Sequence, residues 1–209
     1  MGNNHYLCIV IKKTTYSKQQ LKIIGDKIMG QRTQMLIQTV NNKGEQKNRL
    51  YHFQWGFGRK MFLQLMDLYL SDYFKDCFQR DYSVFDVTKL TKHAYDITDE
   101  VDIPEDLDIT DIEQIKKVFK QCDNNNGGMV IQVNENVSSY SAFNYKVGLL
   151  LGSEETYDYE NDKSIEEPFS RYVSYQEYFD KAGGQFCRVP SFVKMWEGFV
   201  EFAEIKFLR

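Results

Sequence analysis

Proline is scarce, 3 residues in 209, and glycine is modest at 13, which argues against a long disordered linker. No apolar run approaches the roughly 18 residues that a helix needs to cross a bilayer. The opening stretch "MGNNHYLCIVIKK" has neither a basic leader before its apolar run nor a small-residue cleavage site. "YLCIVI" (6–11) therefore reads as a first strand, not a signal peptide. Met-Gly begins the chain, but Tyr6 stands where N-myristoylation needs Ser or Thr. The expectation is a cytoplasmic protein with no membrane partner.

Cysteine supplies no framework. Cys8, Cys77, Cys122 and Cys187 lie far apart, so the close pairing of a zinc site is missing, and His5, His52 and His93 add no ligand spacing. Free thiols in a reducing compartment, no bound metal and no cofactor are expected.

Signatures of catalysis are equally thin. Gly-x-Ser-x-Gly, the phosphate-binding G-x-x-x-x-G-K-[ST] and a thiol with an activating neighbour are all absent. What remains is Glu204-Ile205-Lys206 and Glu45-Gln46-Lys47, the latter with Asp26 upstream. Such Glu-x-Lys pairs occur in metal-dependent nucleases, where carboxylates hold the cation and the lysine orients water. Glu204 and Lys206 would share one face of a terminal strand. Three-residue matches arise easily in a chain with 27% charged residues.

The charge that is present is unevenly divided. Residues 1–80 carry 13 Lys+Arg and 5 Asp+Glu (+8), and residues 81–209 carry 13 and 25 (−12), which together give the net −4. Two units follow: a basic α+β unit over 1–90 and an acidic one over 91–209, which could also form one continuous domain. Their opposite charges either neutralise each other on packing or present two working surfaces.

Periodicity predicts a strand at 6–11, a helix at 17–30 and a hairpin of strands 34–40 and 49–55. A helix at 60–78 and a strand at 82–89 follow. This β-α-β-β-α-β order is the ferredoxin-like arrangement. The second half gives a weaker echo of it. Thr110 and Glu113 form a capping box for a helix through Cys122, and "CDNNNGG" is its stop. Strands are expected at 129–134 and 145–152, and a helix capped by Ser174 over 174–184. Residues 198–208 read as a last strand, with a helix from Pro190 as the alternative.

Two segments concentrate carboxylates. "DITDEVDIPEDLDITDIE" (96–113) has nine and no basic residue, and "EETYDYENDKSIEE" (154–167) has seven and one lysine. Both are either solvated loops or a partner-binding surface imitating nucleic-acid phosphates. Candidate residues are Asp99, Glu100, Asp102, Glu105, Asp106 and Asp108 in the first, and Glu154, Glu155, Asp158, Glu160 and Asp162 in the second. Asp158, Glu160 and Asp162 have calcium-loop spacing, but Lys163 and Phe169 stand where that loop needs Gly and Glu.

The basic alternative is an anion or nucleic-acid surface of Lys12, Lys13, Lys43, Lys47, Arg49, Arg59 and Lys60. It includes "YHFQWGFGRK" (51–60), where aromatics fall at every second position. Tyr51, Phe53 and Trp55 share one strand face and His52 and Gln54 the other. The aromatic face is expected in the core. Turned outward, it would stack bases as RNA-recognition motifs do, although Arg59 stands in place of that signature's second aromatic. Gly56–Gly58 precede a helix whose free N–H groups could hold an anion.

The functional expectation is a non-catalytic interaction protein that binds and modulates a protein or ribonucleoprotein partner. By composition it resembles phage or mobile-element accessory proteins that inhibit host-defence nuclease systems. The alternatives are an RNA- or DNA-binding protein using the basic half, and a small metal-dependent nuclease.

Overall fold

The strand Thr33–Val40 (β1) is buried at seven of its eight residues, the mark of a strand with both faces covered. In the computed structural model, residues 31–54, 59–77, 94–135, 143–181 and 189–209 are described. All belong to one compact unit, Gln31–Arg209. After β1 come β2 (Gln46–Phe53), α1 (Lys60–Cys77) and β3 (Tyr95–Asp96), then a 3-10 turn at Thr98–Glu100 and α2 (Ile112–Phe119). The strands β4 (Gly128–Glu135) and β5 (Phe143–Leu150) precede a small hairpin of β6 (Tyr157–Asp158) and β7 (Lys163–Ser164). α3 (Tyr175–Lys181), α4 (Pro190–Phe202) and β8 (Lys206–Phe207) complete the order.

The main sheet runs β3-β2-β1-β4-β5-β8. β1 is antiparallel to β2, with Thr33 opposite Phe53, and parallel to β4, with Gln34 opposite Gly128. β5 returns antiparallel to β4, and β8 lies parallel on its outer edge. The described fold is therefore mixed α+β, with a six-stranded mixed sheet and four helices. The expected strands at 6–11 and 82–89 and the helix at 17–30 lie outside the described residues. So do Cys8, Cys187, His5 and His93.

Local chemistry explains the boundaries. The hairpin tip is shorter than its composition suggests, because polar Gln46, Lys47 and Asn48 join the strand. Asn41 closes it, its side-chain oxygen accepting from the backbone N–H of Lys43 and Glu45, and Gly44 supplies a φ of 80°. α2 begins one residue later than expected. Asp111, not Thr110, is its cap and accepts from the N–H of Glu113 and Gln114. Thr110 instead donates to Asp108. Ser174 does cap α3, accepting from the N–H of Glu177.

The chain end departs from the expected strand at 198–208. Pro190 opens a helix through Phe202, because its fixed φ suits the first turn. Strand geometry survives only at 206–207.

The side chains of β1 alternate between two cores. Met35 and Ile37 join Tyr51, Phe53, Met129 and Ile131 beneath α1, α3 and α4. Leu36, Leu50 and Val130 meet α2 and the buried Leu107 and Ile109 on the opposite face. Tyr51 and Phe53 are thus core residues, 5% and 1% exposed, and no stacking platform is formed by them; Trp55 and Phe57 lie outside the described residues. Phe62 of α1 is the hub of the larger core. Its ring centroid lies 4.7 Å from Trp196, 5.0 Å from Phe179 and 5.5 Å from Tyr178, within the range of favourable edge and tilted contacts.

Phe62→Ala is expected to cost about 3–5 kcal/mol, because it empties a site that three helices close. A urea midpoint that moves by less than a fifth of that would show that Phe62 is not the hub.

Candidate functional site

The segment from Asp96 to Asp111 runs across the α2 face of the sheet, and its backbone is tied down along its length. Gln121, in the turn just past α2, accepts from the Asp102 N–H and donates to the Asp102 carbonyl, at 2.9 and 3.0 Å. Asn48 donates to the Pro104 carbonyl, Gln38 to Leu107 and Tyr172 to Ile109, at 2.6–2.9 Å. Leu107 and Ile109 anchor it in the core. Between these fixed points Asp99, Glu100, Asp102, Glu105, Asp106 and Asp108 are all exposed. Asp108 is occupied locally: hydrogen bonds from Thr110 hold its carboxyl below the ordinary range. None of the other five has an ion-pair partner among the described residues.

Several other acids are neutralised by cations. Burial disfavours the charge on Asp96, but hydrogen bonds from Thr98 and from the Arg49 guanidinium outweigh it and lower its pKa. Asp123 pairs with Arg32. Glu167 receives Lys116 and Lys120, which pull its carboxyl down to about 2. Arg171 and Lys181 both bridge Glu166 and Glu177.

The second acidic segment differs from expectation. Asp158, Glu160 and Asp162 do surround the β6–β7 hairpin, but Asp158 accepts from the N–H of Glu160 and Asn161, and Asp162 accepts from the Tyr157 hydroxyl at 2.6 Å. These bonds close the turn; they leave no calcium loop. Among the described residues no group of three or more His, Cys, Asp or Glu could hold a metal ion.

Glu154 and Glu155 are not free surface acids. Glu154 accepts from the side chains of Asn125 and Asn126. Glu155 is buried, 8% exposed, and accepts from the Asn126 amide at 2.8 Å and the Gly152 N–H at 2.7 Å. No cation faces it. Burial raises its pKa to about 8.

Gly127, with φ 75°, and Gly152 let these two loops approach backbone to backbone. A Cβ on Gly152 would overlap the Gly127 nitrogen. The Asn124 side-chain amide, Asn126 Oδ1 and, on β1, Thr33 Oγ1 are buried without a hydrogen-bond partner among the described residues. "DNNNGG" and "GSEE" are thus two halves of one buried polar joint. The signal in the sequence was the asparagine run, which reads as a turn on its own.

The basic candidates do not converge. Lys12 and Lys13 lie outside the described residues. Arg49 is committed to Asp96 at 2.5 Å, and the Arg59 guanidinium lies 5.4 Å from the centroid of the Phe192 ring. Lys43 and Lys47 are exposed at the hairpin, and Lys60 sits half-buried at the start of α1. Arg49–Asp96 and Arg32–Asp123 each join a first-half cation to a second-half carboxylate.

The nuclease pairs fare no better. Glu204 occupies a turn at φ 50°, off the strand that carries Lys206. Glu45 accepts from the Asn41 amide within the hairpin tip.

A cleft of about 250 Å³ opens between β2, the 3-10 turn and the end of α2. Half-buried His52, Ile97, Val101 and Cys122 line it, with exposed Glu100, Gln121 and Asp123. The Gln34 amide, fully buried, donates to His52 Nδ1 and to the Asp123 carbonyl, both at 2.9 Å. His52 Nε2 then donates to Gln54 at 3.3 Å. Burial pushes the Cys122 thiol up to about 11. The cleft is a recess whose walls these hydrogen bonds hold in place. Sequence reading missed it because its residues come from three separated stretches.

The chain matches no protein family, no curated protein and no solved structure.

Glu155 makes a sharp prediction about pH. Its folded pKa lies above the ordinary 4.5, so its contribution to stability is complete below about 4.5 and is lost as pH rises to about 8. Across that window stability should fall by about 1.4 kcal/mol per pH unit from this group alone. Glu155→Gln should remove that slope. Parallel urea titrations of wild type and variant between pH 5 and 8 check this, and identical slopes would show that Glu155 is ionised in the native protein.

Proposed function

We propose that this chain is a non-catalytic interaction protein whose acidic segment, Asp99–Asp106, docks a basic surface of a protein or ribonucleoprotein partner. One observation carries the reading. Five exposed carboxylates without basic partners among the described residues stand on a backbone pinned to the sheet by Gln121, Asn48 and Gln38. A solvated loop has no need of such anchoring. An ordered array presents its charge without an ordering cost at the moment of binding. It also steers a cationic partner from a distance, at rates that fall with salt.

The partner's basic surface is of the kind that binds nucleic-acid phosphates, for which regularly held carboxylates are a substitute. The same charge repels nucleic acid itself. Nothing in the placement of Lys43, Lys47, Arg49, Arg59 and Lys60 favours the nucleic-acid reading, since Arg49 is paired and Arg59 stacked.

Combined reversal, Asp102→Lys/Glu105→Lys/Asp106→Lys, tests this. These exposed side chains make no hydrogen bond or ion pair among the described residues, so stability should stay within about 0.5 kcal/mol of wild type. Binding to a fluorescent dodecamer of alternating Arg and Ser should weaken at least tenfold, about 0.5–1 kcal/mol for each lost attraction. The same variant should release the partner recovered from the native host. Equal dodecamer binding by wild type and variant would sink the proposal.

A further inference from the structure

The cleft beside the acidic segment shares Glu100 and Val101 with it. Resting on the function proposed above, we infer that this cleft receives the side chain of one arginine or lysine from the docked partner, as the anchor of the interface. Size argues for a single side chain: about 250 Å³ is below the range of about 300–1,000 Å³ that encloses a drug-sized ligand.

Its chemistry is two-part. Ile97 and Val101 are half-buried aliphatic walls, suited to a methylene stem. Glu100 and Asp123 are exposed carboxylates at the same recess, suited to a cationic head. The Glu100 side chain makes no hydrogen bond or ion pair among the described residues, its backbone N–H donating to the Ile97 carbonyl. Asp123 already holds Arg32 of this chain, which shows that a guanidinium is accommodated at this edge.

The walls are prepared in advance. Gln34 fixes His52 and the Asp123 carbonyl, and Gln121 fixes Asp102. An acidic side chain is disfavoured by the carboxylates. A free cationic small molecule would meet the same chemistry, but it would gain nothing from the adjoining acids at 102, 105 and 106. Those acids lie along the path of an extended basic segment, which is why the partner's side chain is the occupant inferred.

The test uses the full chain with methyl-labelled isoleucine and valine. L-arginine amide should shift the Ile97 and Val101 methyl signals saturably. L-citrulline amide, whose side chain carries no charge, and L-norleucine amide, which has a stem but no cationic side-chain head, share the α-amine of arginine amide and should shift them at least fivefold less at equal concentration. The Arg/Ser dodecamer should move the same signals. Glu100→Gln, an exposed and fold-neutral change, should weaken the dodecamer about tenfold, the loss of one charge-assisted hydrogen bond.

Three results overturn the inference. Dodecamer binding that leaves Ile97 and Val101 unmoved, but still depends on Glu105 and Asp106, removes the anchor and leaves the docking surface standing. Shifts from arginine amide without shifts from the dodecamer assign the cleft to a free cation instead. No dodecamer binding at all removes both the anchor and the function it rests on.

Discussion

The parallel seam between β1 and β4 is the constraint on which the rest of the molecule depends. Two antiparallel hairpins, β1–β2 and β4–β5, become one sheet only because Gln34–Val40 lies alongside Gly128–Asn134. The seam places β1 between two neighbours and so requires cover on both faces. Three helices supply it on one side; α2 and the 97–109 segment supply it on the other. Polar side chains reinforce the join: Gln132 donates to Gln38, which donates in turn to the Leu107 carbonyl. A buried amide of this kind must be fully employed, and Gln38 is. The acidic segment owes its fixed course to that employment.

Charge in this chain is used in two ways, and position separates them. Acids near α2, α3 and β3 are met by Lys116, Lys120, Arg171, Lys181 and Arg49, and so hold loops together. Surface pairs of this type contribute little individually, and their value lies in their joint geometry. The acids between 99 and 106 have no such partners. Five of the second half's unpaired carboxylates thus stand on one ordered stretch; others, Asp180, Glu197 and Glu201 among them, are scattered over α3 and α4.

Local chemistry was legible in the sequence wherever a short segment decides its own form. The Asn41–Gly44 hairpin tip, the long amphipathic helix from Lys60, the Ser174 cap and the inward face of Tyr51 and Phe53 all follow from spacing and residue type. Non-local facts were not legible. Nothing in residues 33–40 states that their second neighbour is 128–135, since a buried apolar strand accepts any compatible partner edge. Thr110 and Asp111 are both good caps, and the tie is broken by Asp108, which claims the threonine hydroxyl. Glu155 reads as one more acid in an acidic run. Only the approach of Gly152 to Gly127 shows it to be buried. The cleft belongs to the same class, because Ile97 and Cys122 are brought together by the packing of α2.

The parallel seam also sets a timetable for synthesis. β2 follows β1 closely and can pair with it as soon as residue 53 has left the ribosome. The other edge of β1 must wait until residues 128–134 have been made. Throughout that interval Met35, Leu36 and Ile37 present an open, apolar strand edge, a template for pairing with another chain. The nascent protein is thus most vulnerable to aggregation in mid-translation, and a pause in the acidic stretch would prolong that exposure. Slow codons there should be tolerated poorly, even though they encode the most soluble part of the protein.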